Sequence, residues 1–186
     1  MMLETVTGRL VDIENPDPTT INIEDIAWGL SRMPRFCGHT ITVIPYNVAQ
    51  HSMFVADEVR QLSDDRRLEL LALLHDAAEV YTGDWPSPLK RIPKLKVIIK
   101  KIEADLMNSI YRAFELEAPT DEEEALIKKA DKIAQKIEAH AFMPSRGKHW
   151  PDMPEVSLER LQSFNAPLDS LTSYKLFMEK FQLLKQ

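Results

Sequence analysis

The stretch from Leu70 to Lys90, LLALLHDAAEVYTGDWPSPLK, constrains the fold of this chain more than any other, because an apolar helix core runs directly into a dense set of polar groups. Leu70, Leu71, Leu73 and Leu74 fall on several sides of a helix at once, which a surface helix does not do, so the segment belongs in the interior. His75 and Asp76 come immediately after, Glu79 lies one turn beyond His75 on the same face, and Gly83 and Asp84 come next. A buried helix that ends in a histidine and several carboxylates requires a cation, a proton network or a ligand, since unpaired buried charge is expensive.

A chain of 186 residues suffices for one domain with a sizeable core and is too short for two comfortable ones. Hydrophobic residues at 44%, charged residues at 28% and only five Gly fit an all-α globular class. Cys37 is alone, so no disulfide framework is expected. The start, MMLETVTGRL, lacks a basic segment followed by an apolar run, and no apolar stretch approaches the roughly 18 residues of a membrane span. The expectation is a cytoplasmic protein with no membrane partner. A net charge of -6 argues against general nucleic-acid binding, which phosphate neutralisation usually makes basic.

Along the chain, Glu4 to Ile13 is β-branched and broken by Gly8, and Thr40 to Val43 alternates in the same style, which leaves room for a small N-terminal β-hairpin or ribbon. Asn22 caps a first helix through about Ser31, with Glu24 and Asp25 in its first turn. From Asn47 to about Leu62 a second helix places Val48, Ser52, Val55, Ala56 and Val59 on one face, with His51 at its margin. Ser63 starts the organising helix, and Gly83 and Pro86 terminate it. Lys90 to Lys101 interleaves cations with apolar residues and leads into a helix to about Glu115; it reads as a solvated face or as reach toward distal phosphates. Thr120 and Glu123 form a capping box for a helix to about Ala141, on which Lys128, Lys132, Gln135 and Lys136 face out while Asp131 and Glu138 fall at the seam of the buried arc. Residues 143–154 read as a long loop, and a terminal helix from about Leu168 carries an apolar stripe, Leu171 to Leu184, that suits either the core or an oligomer interface.

Three helices thus each bring ligand-type residues to a core margin: His51, the pair His75 and Asp76, and Asp131. Two imidazoles with two carboxylates suit Co, Mn, Zn, Fe or Ni better than Ca or Mg, and such an ion lowers the pKa of a water and polarises a phosphoryl oxygen. Each residue also has a plainer reading. His51 fits a hydrogen-bonded structural histidine, Glu79 an intrahelical partner of His75, and Asp131 a solvated edge carboxylate. Spacing leaves both readings standing.

The ordered series AQHS (Ala49 to Ser52), LLHDAAEVYTGD (Leu73 to Asp84) and KADK (Lys129 to Lys132) resembles the H, HD, D signature of HD-domain metal-dependent phosphohydrolases. HDxxExxxGDxPxPxK resembles more narrowly the deoxyribonucleotide 5'-nucleotidase branch and its phage relatives, including phage dATP triphosphohydrolases. The resemblance implies an HD-domain helical fold in a single unit over residues 1–186, with its core at about 23–141 and a C-terminal loop and helix at 143–186. It implies His51, His75, Asp76 and Asp131 as metal ligands, and Glu79 and Asp84 as the acidic residues that orient or deprotonate water and touch the sugar. It implies Arg35 and Lys90 at the phosphate. His39 suits phosphate binding, leaving-group protonation or a structural place, and Trp28, Trp85 or Pro88 suit the wall of a base or sugar pocket, with the core as the other place for a Trp. After Arg35 the chain departs from the nucleotidase pattern: Phe36 stands where that branch has a tryptophan, and Gly38-His39-Thr40 looks more like the phage-type members.

The resemblance therefore implies a hydrolase of the 5'-phosphoester bond of deoxynucleotides, releasing phosphate from a dNMP or triphosphate from a dNTP such as dATP, and assembling as a homo-oligomer. Two alternatives stand beside it: a non-catalytic nucleotide-binding regulatory module, and an HD phosphodiesterase of other nucleotide specificity.

Overall fold

A computed structural model describes residues 2–162, 164 and 166–186. The chain opens in a hairpin of β1 (Met2–Glu4) and β2 (Leu10–Asp12), antiparallel with Leu3 opposite Val11. Gly8, at φ 78°, makes its turn. Asp25 pins the hairpin to the first helix by accepting hydrogen bonds from Thr5 Oγ1, Thr7 N and Thr7 Oγ1. The ribbon expected at Thr40 to Val43 does not form. Residues 41–44 trace bends, Val43 is fully exposed, and an isolated bridge between Pro34 and Asn47 closes the excursion.

The remaining elements are helices: α1 (Ile23–Arg32), α2 (Val48–Leu62), α3 (Arg66–Leu73), α4 (Glu79–Thr82), α5 (Ser87–Lys90), α6 (Pro93–Ala113), α7 (Asp121–Phe142), α8 (Leu158–Gln162) and α9 (Ser170–Lys185). This is the expected all-α class with a small N-terminal hairpin. Asn22 and Asn47 cap α1 and α2 through their side chains, and Thr120 and Glu123 make the reciprocal capping box of α7. The short α8 has no counterpart in the sequence pattern.

One correction bears on function. The organising helix is not continuous: Ser63 ends α2, Asp65 caps α3, and α3 stops at Leu73. Residues 74–78 are turns before α4 resumes. The break falls where His75 Nδ1 takes the Ala72 carbonyl at 2.8 Å, a side-chain bond that competes with the helical ladder and re-aims His75 and Asp76.

Helix α2 is central, packed against α1, α3, α7 and α9. Its apolar face is buried as the pattern implies, and His51 lies fully inside rather than at the margin. The C-terminal stripe joins this core: Phe177 and Phe181 are buried in α9, while Leu171 stays about half exposed. Gly29 lets α1 approach α4, since a Cβ there would lie 1.7 Å from Val80 Cγ2. Among the described residues no helix is long and apolar enough to cross a membrane.

Candidate metal and phosphate site

Three segments converge on one point. His51 arrives on α2, His75 and Asp76 on the broken turn after α3, and Asp131 on α7. His51 Nε2 lies 3.3 Å from Asp131 Oδ1 and 3.5 Å from Asp76 Oδ2, and His75 Nε2 lies 3.2 Å from Asp76 Oδ2. Ligand atoms of His51, His75 and Asp131 fall within 4.8 Å of one another. Each imidazole is held from behind: Nδ1–H of His51 donates to Glu138 Oε1 at 2.6 Å, and that of His75 to the Ala72 carbonyl. With Nδ1 engaged in this way, each Nε2 faces the cluster, where neither atom has a hydrogen-bond partner. Two bare imidazole nitrogens beside two carboxylates fit a borderline divalent ion.

The sequence marks Glu138 only as a seam residue. It is fully buried and also accepts from Tyr46 Oη at 2.8 Å, and Arg35 Nη2 lies 3.6 Å from its other oxygen. The sequence signal that could have found it is its place two turns beyond Asp131 on the same face of α7; for Tyr46 there is none.

Electrostatics in this cluster are strongly coupled. Burial and the Arg35 guanidinium press down on the His51 imidazolium, but Glu138 and Asp131 outweigh them and carry its pKa up to about 10. Burial opposes ionisation of Asp76, yet His75, His51 and Arg35 hold it well below the usual carboxylate range. Asp131 and Glu138 are lowered too, against burial, chiefly by His51. Glu79 moves the other way: burial, Asp76 and Asp84 raise its carboxyl well above the ordinary value, despite Lys90 and Arg35. Asp84 is likewise raised by burial.

Asp76 and Asp131 of this cluster line a cavity of about 650 Å³. Arg35, Phe36 and His39 line one side; Glu79, Asp84, Trp85, Pro88, Lys90 and Arg91 line another; Lys132 and Gln135 on α7, with Met143 and Trp150 beyond it, complete the wall. Lys90 Nζ donates to Glu79 Oε1 at 3.0 Å and lies 3.1 Å from Glu103, while Glu79 Oε2 is buried with no hydrogen-bond partner. Phe36 and Cys37, at φ 55° and 53°, both occupy the left-handed region ahead of Gly38, so the lip beside Arg35 is a strained turn.

Asp76, Asp131, Glu79, Asp84, Arg35, His39 and Lys90 therefore line this cavity, His51 and His75 lie against Asp76 and Asp131, and Lys94, Lys96, Lys100 and Lys101 are exposed away from its lining. Trp28 is not part of the lining: it stacks on Tyr174 of α9 with centroids 4.1 Å apart and Arg32 over its ring, for a packing reason, while Trp85 and Pro88 do line the cavity. Lys132 and Gln135, which the periodicity places facing out, are at its wall, because the turns after α7 fold back over that face. Trp150, 5.4 Å from the Phe36 ring, carries no periodic signal.

A family model described as 5'-deoxynucleotidase YfbR-like matches residues 28–183. The chain belongs to the YfbR-like 5'-deoxynucleotidase family. That membership indicates a hydrolase. Among similar proteins, the uncharacterized protein YfdR of Escherichia coli K12 is 31% identical over 99% of this chain and 96% of its own length. An uncharacterized protein of Rhodobacter capsulatus is 34% identical over 72% of this chain and 69% of its own. A 5'-deoxynucleotidase of Vibrio vulnificus is 33% identical over 47% of this chain and 57% of its own, so the chain spans just over half the length of that named enzyme.

Proposed function

We propose that this protein is a divalent-metal-dependent 5'-deoxynucleotidase, cleaving the bond between phosphorus and the 5'-oxygen of a deoxynucleoside monophosphate to give the deoxynucleoside and phosphate. The observation that carries the reading is the pair of unpartnered, buried Nε2 atoms of His51 and His75 facing Asp76 and Asp131, which line a cavity together with Glu79, Arg35 and Lys90. Family membership supports it.

His51, His75, Asp76 and Asp131 would hold the ion, of the Co, Mn, Zn, Fe or Ni class. When bound, it supplies Lewis-acid polarisation of the phosphoryl group and a lowered water pKa. The remaining work belongs to the chain. Arg35 and Lys90 place positive charge where the phosphoryl oxygens gather negative charge, and the planar guanidinium suits two of those oxygens at once. Water attacks phosphorus, its proton passes to Glu79 or Asp84, the P–O5' bond breaks, and the 5'-oxygen takes up a proton. Glu79 is suited to the role because Oε2 is free, Lys90 fixes Oε1, and burial with Asp76 and Asp84 nearby raises its proton affinity. His39, at the cavity wall, is the donor to the leaving oxygen. Pro88 and Trp85 form apolar wall for sugar or base.

A second reading, release of triphosphate from a dNTP, is favoured by Arg91 and Lys132. Both line the cavity, and among the described residues neither makes an ion pair, so there is positive charge beyond what one phosphate requires. We place either activity in a homo-oligomer on the family resemblance, and in the cytoplasm on the composition of the sequence. The deciding experiment is a product assay with Co2+ or Mn2+, all four dNMPs and all four dNTPs, and Asp76→Ala as control. Phosphate from dNMPs establishes the nucleotidase, and triphosphate from a dNTP the second reading. No metal-dependent product from either set would leave the binding module or the phosphodiesterase of other specificity.

A further inference from the structure

A second cleft, of about 570 Å³, lies along α7 beyond the main cavity. Lys132 and Gln135 face the main cavity, and Lys136 and His140, the next turns of the same helix, face the second. Arg146, Lys148 and His149 close it from the turns after α7. Its lining holds three permanent cations and two imidazoles and no carboxylate, in a protein of net charge -6. The positive field is felt by the cleft's own groups: burial, then Arg146 and Lys136, press His140 below the usual imidazole range. The cleft adjoins the C-terminal end of α7, where the helix dipole disfavours anions, but that is about half an elementary charge against three full cations.

The turn is built rather than loose. Arg146 and Gly147 are both left-handed, at φ 53° and 71°, and a Cβ on Gly147 would stand 3.0 Å from Ala139 Cβ, so the backbone is seated on α7. Gly147 O accepts from Trp150 N at 3.2 Å, and Trp150 meets Phe36 at the lip of the main cavity. A ligand drawing Arg146 and Lys148 together would act on the segment that carries Trp150.

We propose that this cleft is a second, regulatory anion site for a small polyphosphate-bearing ligand, coupled through the turn Arg146–Trp150 to the mouth of the main cavity. Its cations match phosphate oxygens in charge and in hydrogen-bond capacity, and its volume of about 570 Å³ suits a small ligand. The site does not depend on the proposed reaction; only its effect on turnover rests on that reading.

The test is calorimetric titration of tripolyphosphate into the full chain without added divalent cation, beside Lys136→Gln/Arg146→Gln/Lys148→Gln and, at the main cavity, Arg35→Ala. The expected result is binding weakened at least tenfold by the triple substitution, kept in Arg35→Ala, reduced by salt, and accompanied by a change in tryptophan fluorescence that disappears in Trp150→Phe while the heat remains. Circular dichroism checks that the triple variant is folded. A titration of Arg35→Ala with dATP, beside the triple substitution, separates the sources: tenfold tighter binding than tripolyphosphate that the triple substitution removes assigns a nucleotide effector to this cleft, and equal binding assigns the polyphosphate alone. The proposal is overturned if tripolyphosphate does not bind, if only Arg35→Ala abolishes binding, or if single-stranded DNA binds where tripolyphosphate does not. Because these readouts are of binding, they succeed or fail independently of catalysis.

Discussion

His51 cannot present Nε2 to Asp76 and Asp131 unless its other nitrogen is held, and the group that holds it is Glu138, buried beneath it and shared with Tyr46. Partners behind a metal-binding imidazole typically affect metal affinity 10–100-fold. Glu138→Gln keeps the shape and removes the charge, so Co2+ affinity measured by calorimetry is expected to fall by about tenfold or more, with the far-ultraviolet spectrum unchanged. An unaltered affinity would reduce Glu138 to a packing residue. Glu79 predicts the opposite split. It stands in the cavity wall with Oε2 free, so Glu79→Gln is expected to retain Co2+ binding while turnover drops by about 10²–10⁴-fold, the usual range for a lost general base. A loss confined to KM would instead make it a substrate contact.

The elements succeed or fail as carriers of these residues. Helices α1, α2 and α7 are legible because caps and apolar periodicity are local: Asn22 and the Thr120–Glu123 box cap α1 and α7 as the pattern implies, and Asn47, read as the first residue of α2, is its cap. The interruption after Leu73 is not legible: every residue from Leu70 to Glu79 is compatible with a continuous helix, and what breaks it is a side-chain contact of His75 with the backbone. The ligand set can be picked out from ordered motifs, whereas Glu138, Tyr46 and Trp150 act through contacts between segments far apart in sequence, which no local pattern encodes. Gly29 belongs to the same group. It lies in the interior of α1, where glycine is unfavourable, and its reason is the approach of Val80, next to Glu79 on α4. Gly29→Ala improves local propensity and is nonetheless expected to destabilise by about 2 kcal/mol through overpacking, lowering Tm by roughly 4–8 °C in a chain of this size. Calorimetric melting measures it; a rise in Tm would mean that α4 shifts freely, and with it Glu79.

At the scale of the whole molecule the buried cluster couples stability, protons and metal. Without a metal, His51 has its pKa raised to about 10 from an ordinary 6.5, so the proton it holds stabilises the fold fully below about pH 6.5, and that contribution is lost as pH rises through about 10. Asp76, Asp131 and Glu138 shift downward, so their contribution is present above the ordinary carboxylate range and is lost in acid. A cation bound by His51 Nε2 must displace the proton, and between about pH 6.5 and 9 it does so against a group that is still largely protonated. Metal affinity is therefore expected to rise by about tenfold for each pH unit across that window, with close to one proton released per ion. The Tm of the metal-free protein should meanwhile decline with rising pH, and the gap to the metal-loaded protein should widen, since a ligand that binds only the folded state stabilises in proportion to the logarithm of its occupancy ratio. Co2+ titrations in buffers of different ionisation enthalpy measure the released proton directly. An affinity flat from about pH 6.5 to 9 with no proton release would remove His51 from the ligand set and, with it, the reason for two bare imidazole nitrogens to face two carboxylates in the interior of the protein.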